Sequence, residues 1–516
     1  MAAKFTKTDL TKGTKQLADH LCGELQDAID ARHGLKQRWE QNEQVYRNEP
    51  GIAAVRLYDN FEPRTVPILS PRVNRIVNVT MTAVSSPSVW VQAVPDDADL
   101  QQANELEHGM QTIMERAGFL RLLRRALTTT ALCGVGIVRA RMTGEGIKLD
   151  HVHPNDFVVA PTYGLDLKDA SLVGHRFYIP VWKLEERIKS GAYPLVAKTE
   201  TVAKFAGTDP DGDPSGRDPS YDLTQNTQDM VELFEVLVRL TVEGRTKWHR
   251  AVVSPTASRV LLIERYPYDQ PWYADLRFHD EEGKFWPSSS VAQNIVGLCL
   301  LQNDMFNLMV AGSMATCANP VVISGGSLGK KIKTINLGHL YETAYDVKVQ
   351  EIPIRFEPGA MPSVMDAIDN QIDAQTGVSQ LSIGQEFLQN QTATAANALI
   401  AATKENESAY AAFAADFIEG VWAFVHSLCR THAGLVRQTY KLALSDAFFE
   451  SLGAEVRWQS AARTPGSAPA TMLQKLQMLL ELAGEEGSGY DYRRVEDAVV
   501  DAMRLPLNTQ RLKKDA

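Results

Sequence analysis

Several short stretches of the sequence bring together residue types that could do chemistry. Gly325-Gly326-Ser327-Leu328-Gly329 has the G-x-S-x-G spacing of a nucleophile elbow, where a strained strand-to-helix turn exposes a serine to a neighbouring base. The preceding Pro320 to Ser324 suits the strand, and His339, His426 and His432 are available as bases. What fails is the continuation: an elbow turns at once into a helix, whereas residues 330–337 place Ile332, Ile335 and Leu337 off any helical face. The same run is no phosphate loop, because Ser324 stands where the first glycine belongs and Lys331 where the magnesium-binding hydroxyl belongs. Asp209, Asp211 and Asp213 begin like a calcium loop, but Pro214 replaces the turn glycine and no glutamate closes it. His151 and His153 lie on one side of a strand without a cysteine or carboxylate at ligand spacing. Gly134-Val135-Gly136 lacks the third glycine of a dinucleotide fingerprint and reads as a helix end. No catalytic residue, metal or cofactor is therefore expected, and a serine hydrolase acting through Ser327 stands as the rival reading.

Composition sets the frame for those stretches. With 516 residues, 44% of them hydrophobic and 22% charged, the chain can fold as several compact modules. A net charge of −10 speaks against a conventional nucleic-acid binder, which needs basic surface to neutralise phosphates, though not against a protein that touches DNA without holding it. Cys22, Cys133, Cys299, Cys317 and Cys429 are far apart and show no paired spacing, so they read as buried thiols of a reducing compartment. The first residues contain no signal-type apolar run, and no segment is expected to cross a bilayer. The nearest, residues 295–315, is interrupted by Gln302, Asn303, Asp304 and Asn307, and the expectation is a cytosolic, soluble protein with no membrane partner.

The elements that must position any site follow from periodicity. Leu17, Leu21, Leu25, Leu35 and Trp39 give a long amphipathic helix over residues 14–48, and a second helix is expected from about 97 to 130, ending at Gly134. Residues 136–142 and 147–154 read as strands around a turn at 143–146, running on into a loop. Beyond an acidic, Pro- and Gly-rich stretch at 208–222, three alternating segments form a meander with turns at Glu243-Gly244 and Ser254-Pro255. A cluster of seven large rings from Tyr266 to Trp286 suits either core or a junction.

Ser288 to Ser290 can cap a helix from Val291 to about Ala318, roughly 40 Å long. A small β-rich insert follows, and Pro362 opens another helix with Met361, Val364, Met365, Ile368 and Ile372 on one face and Asp366, Asp369 and Asp373 on another. A glutamine-rich loop then leads into a long alanine-rich helix that fades near Tyr440, and residues 463–470 mark a linker before a short helical C-terminal piece. The fold class is α+β, mainly helical.

This order of helix, insert, helix, loop and long helix resembles the portal proteins of tailed bacteriophages, most closely the connectors of short-tailed phages. The residues that carry the resemblance are NDFVVAPTYGLDLKDASLVGH, VAQNIVGLCLLQNDMFNLMVAGSMATCANPVVI, and DAIDNQIDAQTGVSQLSIG followed by QTATAANALI. The resemblance implies a dodecameric ring at one capsid vertex, through which double-stranded DNA is packaged and ejected. It implies a wing over residues 1–290, stem helices at 291–318 and 358–378, a clip at 319–357, a tunnel loop at 379–391, a long helix returning to the wing at 392–464, and a crown at 465–516. Gln380, Gln385, Glu386, Gln389, Asn390 and Gln391 would face DNA in the tunnel loop, Asp366, Asp369 and Asp373 would form an acidic stem face or pair with basic groups, and Lys330, Lys331 and Lys333 would lie in the clip. Implied partners are further copies of the chain, the packaging terminase, the major capsid and scaffolding proteins, a tail adaptor, and DNA without sequence specificity. Another oligomeric virion or tail component is the second rival.

Overall fold

The protein is described here by a computed structural model covering residues 4–49, 64–85, 89–95, 100–160, 166–197, 230–279, 284–317, 321–324, 340–341, 348–351, 359, 361–376, 393–441 and 443–460. The chain opens with β1 (Lys4–Phe5), α1 (Lys7–Lys12), α2 (Lys15–Arg47), α3 (Leu69–Ser85), β2 (Val91–Pro95), α4 (Leu100–Arg116) and α5 (Phe119–Cys133). Next come β3 (Val135–Thr143), β4 (Gly146–Val152), β5 (Phe157–Ala160), β6 (Leu172–Pro180), α6 (Val181–Lys189), β7 (Met230–Val242), β8 (Arg245–Ser254), β9 (Arg259–Arg265) and β10 (Tyr273–Arg277). The remainder is α7 (Val291–Cys317), β11 (Val321–Ser324), β12 (Leu340–Tyr341), β13 (Lys348–Glu351), α8 (Met361–Thr376), α9 (Ala393–Thr431), α10 (Ala433–Tyr440), α11 (Asp446–Ser451) and β14 (Val456–Ser460). These elements form a mixed α+β fold in two compact units, one of Met1–Lys36, Val77–Ser288 and Glu407–Ala516, the other of Gln37–Ile76 and Ser289–Asn406.

The first unit is organised by a six-stranded sheet, β5-β6-β7-β8-β9, with β1 running parallel to the end of β7. Period-two alternation sorts its side chains. Val236, Val238 and Leu240 on β7 and Ala251 and Val253 on β8 pack on Leu17, Leu21, Leu25 and Ala28 of α2, while Val231, Leu233 and Val252 turn to Leu184 and Ile188 of α6. The expected meander is the β7-β8-β9 portion, and its first turn has Glu243 at φ 50° and Gly244 at φ 81°, the two left-handed residues of a type I′ hairpin. Two expectations are corrected. Residues 157–160 are a strand rather than a loop, because they pair with β6, and the helix expected over 97–130 is two helices, broken where Gly118 adopts φ 71°.

A smaller sheet, β10-β3-β4, lies against α5. Gly134 ends α5 as expected, at φ 88° with its N–H donating to the Thr130 carbonyl. Gly136 is required by contact, since a Cβ there would sit 2.4 Å from the Ala126 carbonyl oxygen. The rings of the 266–286 cluster are mostly core: Tyr266, Tyr273, Phe278, Phe285 and Trp286 are buried, with edge-to-face contacts such as Phe157–Tyr273 and Phe285–Trp286.

In the second unit α7 packs along α8, and β12-β11-β13 form a three-stranded sheet within the insert. Ser290 caps α7 as expected, its Oγ accepting from the Gln293 N–H at 2.9 Å. The stretches Val291–Met314 and Ala409–Thr431 are long and apolar enough to cross a bilayer by length and composition, which corrects the expectation that no segment reaches that threshold. The reason is that the Leu, Ile, Val, Met, Ala, Phe and Cys residues of 291–314 outweigh Gln302, Asn303, Asp304 and Asn307. Both helices carry core residues, Ile295 and Cys299 in one and Ile418, Trp422 and Val425 in the other. Of the cysteines, Cys133, Cys299 and Cys429 are buried and Cys22 is half-buried, and none of these four is in a disulfide among the described residues. Residues 208–222 and 461–516 lie outside the described residues.

Candidate functional site

The element order places α7 and α8 at the centre of any functional reading, and their contact is built from both apolar and polar residues. Ile368 and Ile372 of α8 are buried, as are Ile295, Val296 and Cys299 of α7. Further along, α7 buries three amides in succession. Asn303 Oδ1 accepts from the Val66 N–H at 2.7 Å. Asn307 Oδ1 accepts from the Arg64 N–H at 2.7 Å, while its Nδ2 donates to the Arg64 carbonyl at 2.9 Å. Two asparagines one helical turn apart thus give the extended backbone before α3 the bonds that a neighbouring strand would give it. Gln302, from the adjacent position, donates to Asp369 Oδ2 on α8 at 2.8 Å.

Arg72, in the first turn of α3, completes this cluster. Its side chain is 3% exposed, and its Nη2 lies 3.0 Å from Asp369 Oδ1 and 3.0 Å from Asp373 Oδ1. Its Nη1 donates to the Ile68 carbonyl at 3.1 Å. Sequence reasoning missed Arg72 entirely, and the signal was weak: one arginine in a segment whose acidic partners lie about 300 residues away.

The cluster changes the meaning of the acidic stem face. Asp369 and Asp373 are largely buried and neutralised within the chain, so of the three aspartates only Asp366 stands exposed. The other exposed positions along α8 include Ala367, Asn370, Gln371 and Ala374, which are uncharged. Gln380, Gln385, Glu386, Gln389, Asn390 and Gln391 lie outside the described residues, as do Lys330, Lys331, Lys333, Ser327 and His339. The two other histidines that could serve Ser327 are engaged elsewhere. His426 Nε2 is 3.1 Å from the Leu452 carbonyl with its ring against Trp458, and His432 Nε2 is 2.6 Å from the Tyr268 hydroxyl. His151 Nε2 is held by Thr129 Oγ1 at 3.0 Å.

A second polar cluster lies in the first unit. Cross-strand pairing sets His175 of β6 opposite Glu235 of β7, and Arg139 of β3 reaches both: its Nη1 donates to Glu235 Oε2 at 2.6 Å and contacts His175 Nε2 at 3.2 Å. Arg250 Nε donates to Glu235 Oε1 at 2.7 Å, and Arg139 Nη2 donates to Asp150 Oδ2 at 2.9 Å. Because a guanidinium only donates, His175 Nε2 is the acceptor, and Nδ1 carries the proton toward the Tyr273 hydroxyl 2.8 Å away. Burial and the Arg139 charge both push the His175 ring down, to about 4. Burial would raise the Glu235 carboxyl, but Arg250 and Arg139 outweigh it and hold the group at about 2. A tyrosine, a histidine and a carboxylate brought together, here with Arg139 bridging the last two, look like catalytic machinery. Here all three are under 9% exposed, and the series joins the small sheet to the large one.

Among the described residues, both polar clusters hold one element of the chain to another. The chain belongs to the phage portal proteins: the family model described as the phage SU10 portal protein matches residues 73–439, more than two thirds of its length. That makes it a structural component of the virion. No curated protein matches the chain.

Proposed function

We propose that about twelve copies of this chain form a closed ring at one capsid vertex, the channel through which double-stranded DNA enters and leaves the head. The observation that carries this reading is the order α7, β insert, α8, loop, α9 within the span of the family match. On this reading α7 and α8 are the stem, residues 319–357 the clip, 379–391 the tunnel loop, 392–464 the long helix and its return, 465–516 the crown and 1–290 the wing. The clip, with Lys330, Lys331 and Lys333, docks the terminase and later the tail adaptor, and the capsid and scaffolding proteins surround the ring; a short-tailed phage is the source that fits best.

Electrostatics supports the same reading. At −10 per subunit a ring carries on the order of a hundred surplus negative charges, a field that repels phosphate and lets DNA slide. Since Asp369 and Asp373 are consumed by Arg72, Asp366 is the carboxylate that α8 can offer to a channel wall, beside small and amide side chains that make weak, exchangeable contacts. Negative-stain microscopy of the purified protein is expected to show end-on rings with a central hole, and monomers under every assembly condition would end the proposal. The double substitution Gln385→Lys and Gln389→Lys adds salt-sensitive phosphate contacts at the constriction and is expected to slow packaging or retain DNA. Packaging and ejection rates equal to wild type would remove the loop from the DNA path.

A further inference from the structure

The large sheet of the first unit leaves an opening where its last strand stops short. β9 ends at Arg265, opposite His249, and residues 245–248 of β8 continue beyond it while the chain turns away at Pro267. The Tyr266 N–H still donates to the Trp248 carbonyl at 3.0 Å, which fixes the side to which Trp248 turns its backbone groups. Strand alternation sends those of Thr246, two residues back, to the same side, with no strand opposite them among the described residues. Two cavities flank the turn and share Arg265, Tyr266, Pro267 and Tyr268 as a common wall. One, of about 350 Å³, lies beside Thr246, and the other, of about 210 Å³, lies beside Arg141.

The charge of these cavities runs against that of the chain. Five cations line them, Arg141, Arg239, Lys247, Arg250 and Arg265, against two acids, Glu264 and Asp269, in a chain of net charge −10. Arg250 is engaged, its Nη1 donating to Glu264 at 2.6 Å and its Nε to Glu235 at 2.7 Å. The other four lack a full counter-charge. Arg265 and Lys247 are exposed and make no ion pair among the described residues. Arg239 lies 4.7 Å from the centre of the Trp248 ring and donates to the Lys168 carbonyl, and neither partner carries a charge. Arg141 has a 3.4 Å contact with Asp150, which Arg139 already holds at 2.9 Å, and the Nε of Arg141 is buried without a hydrogen-bond partner. Burial and the neighbouring Arg139 both disfavour the charge on Arg141.

We infer that the two cavities form one phosphate-binding site, in which Arg141, Arg239, Lys247 and Arg265 hold phosphoryl oxygens. Three of the four are arginines, whose planar forks match phosphate oxygens, and four cations around one small space suit a ligand of more than one negative charge better than a lone carboxylate. The rings in the walls offer no open platform for a base: Trp248 and Trp272 lie against guanidinium groups, and Tyr266 and Tyr268 meet edge to face. The site therefore recognises the phosphate and not what carries it. Two sources share that chemistry, free inorganic phosphates and the phosphodiester backbone of DNA. The site belongs to the first unit alone and is independent of how copies of the chain assemble.

The test uses the full-length chain at fixed ionic strength, with tryptophan emission as the readout because Trp248 and Trp272 line the cavities. Inorganic pyrophosphate and a short DNA duplex are titrated separately. A saturable response to pyrophosphate alone assigns free phosphate as the ligand, and one to the duplex, whatever its sequence, assigns the backbone. Lys247→Ala with Arg265→Ala removes two exposed side chains and is expected to raise the half-saturating concentration roughly tenfold or more, with the circular dichroism unchanged. Asp269→Asn removes the acid that no cation holds and is expected to lower that concentration roughly threefold, a gain that misfolding cannot mimic. Lys183→Ala, on α6 and outside both cavities, is expected to leave it unchanged. No saturable response to either probe, an equal loss in Lys183→Ala, or a polyglutamate peptide that displaces both probes would overturn the inference.

Discussion

Replacing Arg72 by methionine is expected to lower the unfolding free energy of the second unit by about 3–5 kcal/mol, the cost of leaving buried carboxylates without their cation. Asp369 and Asp373 have 18% and 12% of their side-chain surface exposed, too little for water to replace the guanidinium. The loss should come mainly from unpaired charge, since methionine keeps much of the arginine stem's packing. Adding Asp369→Asn and Asp373→Asn to the methionine variant is therefore expected to restore part of the stability, although it removes two more native groups. Urea unfolding followed by circular dichroism measures both steps. A triple variant less stable than the single one would show that the cluster acts through its shape and hydrogen bonds rather than its charge. If the stem reading holds, the single variant should also package DNA poorly at temperatures where it remains folded, because α8 is no longer fixed against α3.

The second large effect concerns acid. His175 is held neutral at about 4 against an ordinary 6.5, so an unfolded chain binds more protons than the folded one as the pH falls from 6.5 to 4. Glu235, held ionised at about 2 against 4.5, does the same between pH 4.5 and 2. The signs agree, and stability falls with pH through both windows, each worth on the order of 3 kcal/mol at about 1.4 kcal/mol per unit of displacement. Glu235→Gln is expected to destabilise the protein at pH 7 by about 3–5 kcal/mol, because Arg139 and Arg250 lose their shared anion. It should also remove the Glu235 part of the dependence below pH 4.5, while the fall set by His175 from pH 6.5 persists and reaches to lower pH, because the carboxylate that raises that ring is gone. Denaturant midpoints collected from pH 7 to pH 3 test this, and parallel curves for wild type and variant would place the acid sensitivity elsewhere.

What was legible in the sequence was local. The stripe of Leu17, Leu21 and Leu25 identified α2, strict alternation and the Glu243-Gly244 turn identified β7 and β8, and Gly134, Ser290 and Pro362 marked helix ends through caps and ring geometry that need no distant partner. α3 escaped because Pro71 and the β-branched Val73, Ile76, Val77, Val79, Thr80 and Val84 read as readily as strand. β6 escaped because Gly174, His175 and Arg176 interrupt its apolar pattern, and their burial is bought by partners on other strands. The same limit governs the candidate site. The spacing of Asp366, Asp369 and Asp373 implied a shared polar face, but only the fold shows that Arg72 claims two of them. The amides of α7, which look like interruptions in an apolar helix, are its most specific contacts.

Those contacts also constrain the order of events during synthesis. Arg64 is bonded to a residue 243 positions later and Arg72 to residues 297 and 301 positions later. At roughly 5–20 residues per second, a ribosome needs about 15 to 60 s to make that intervening chain. Residues 64–72 must wait that long with an arginine and unpaired backbone amides before α7 and α8 emerge to receive them. The second unit can close only after most of the first has been translated, so subunits reach the pool of assembly-competent molecules late.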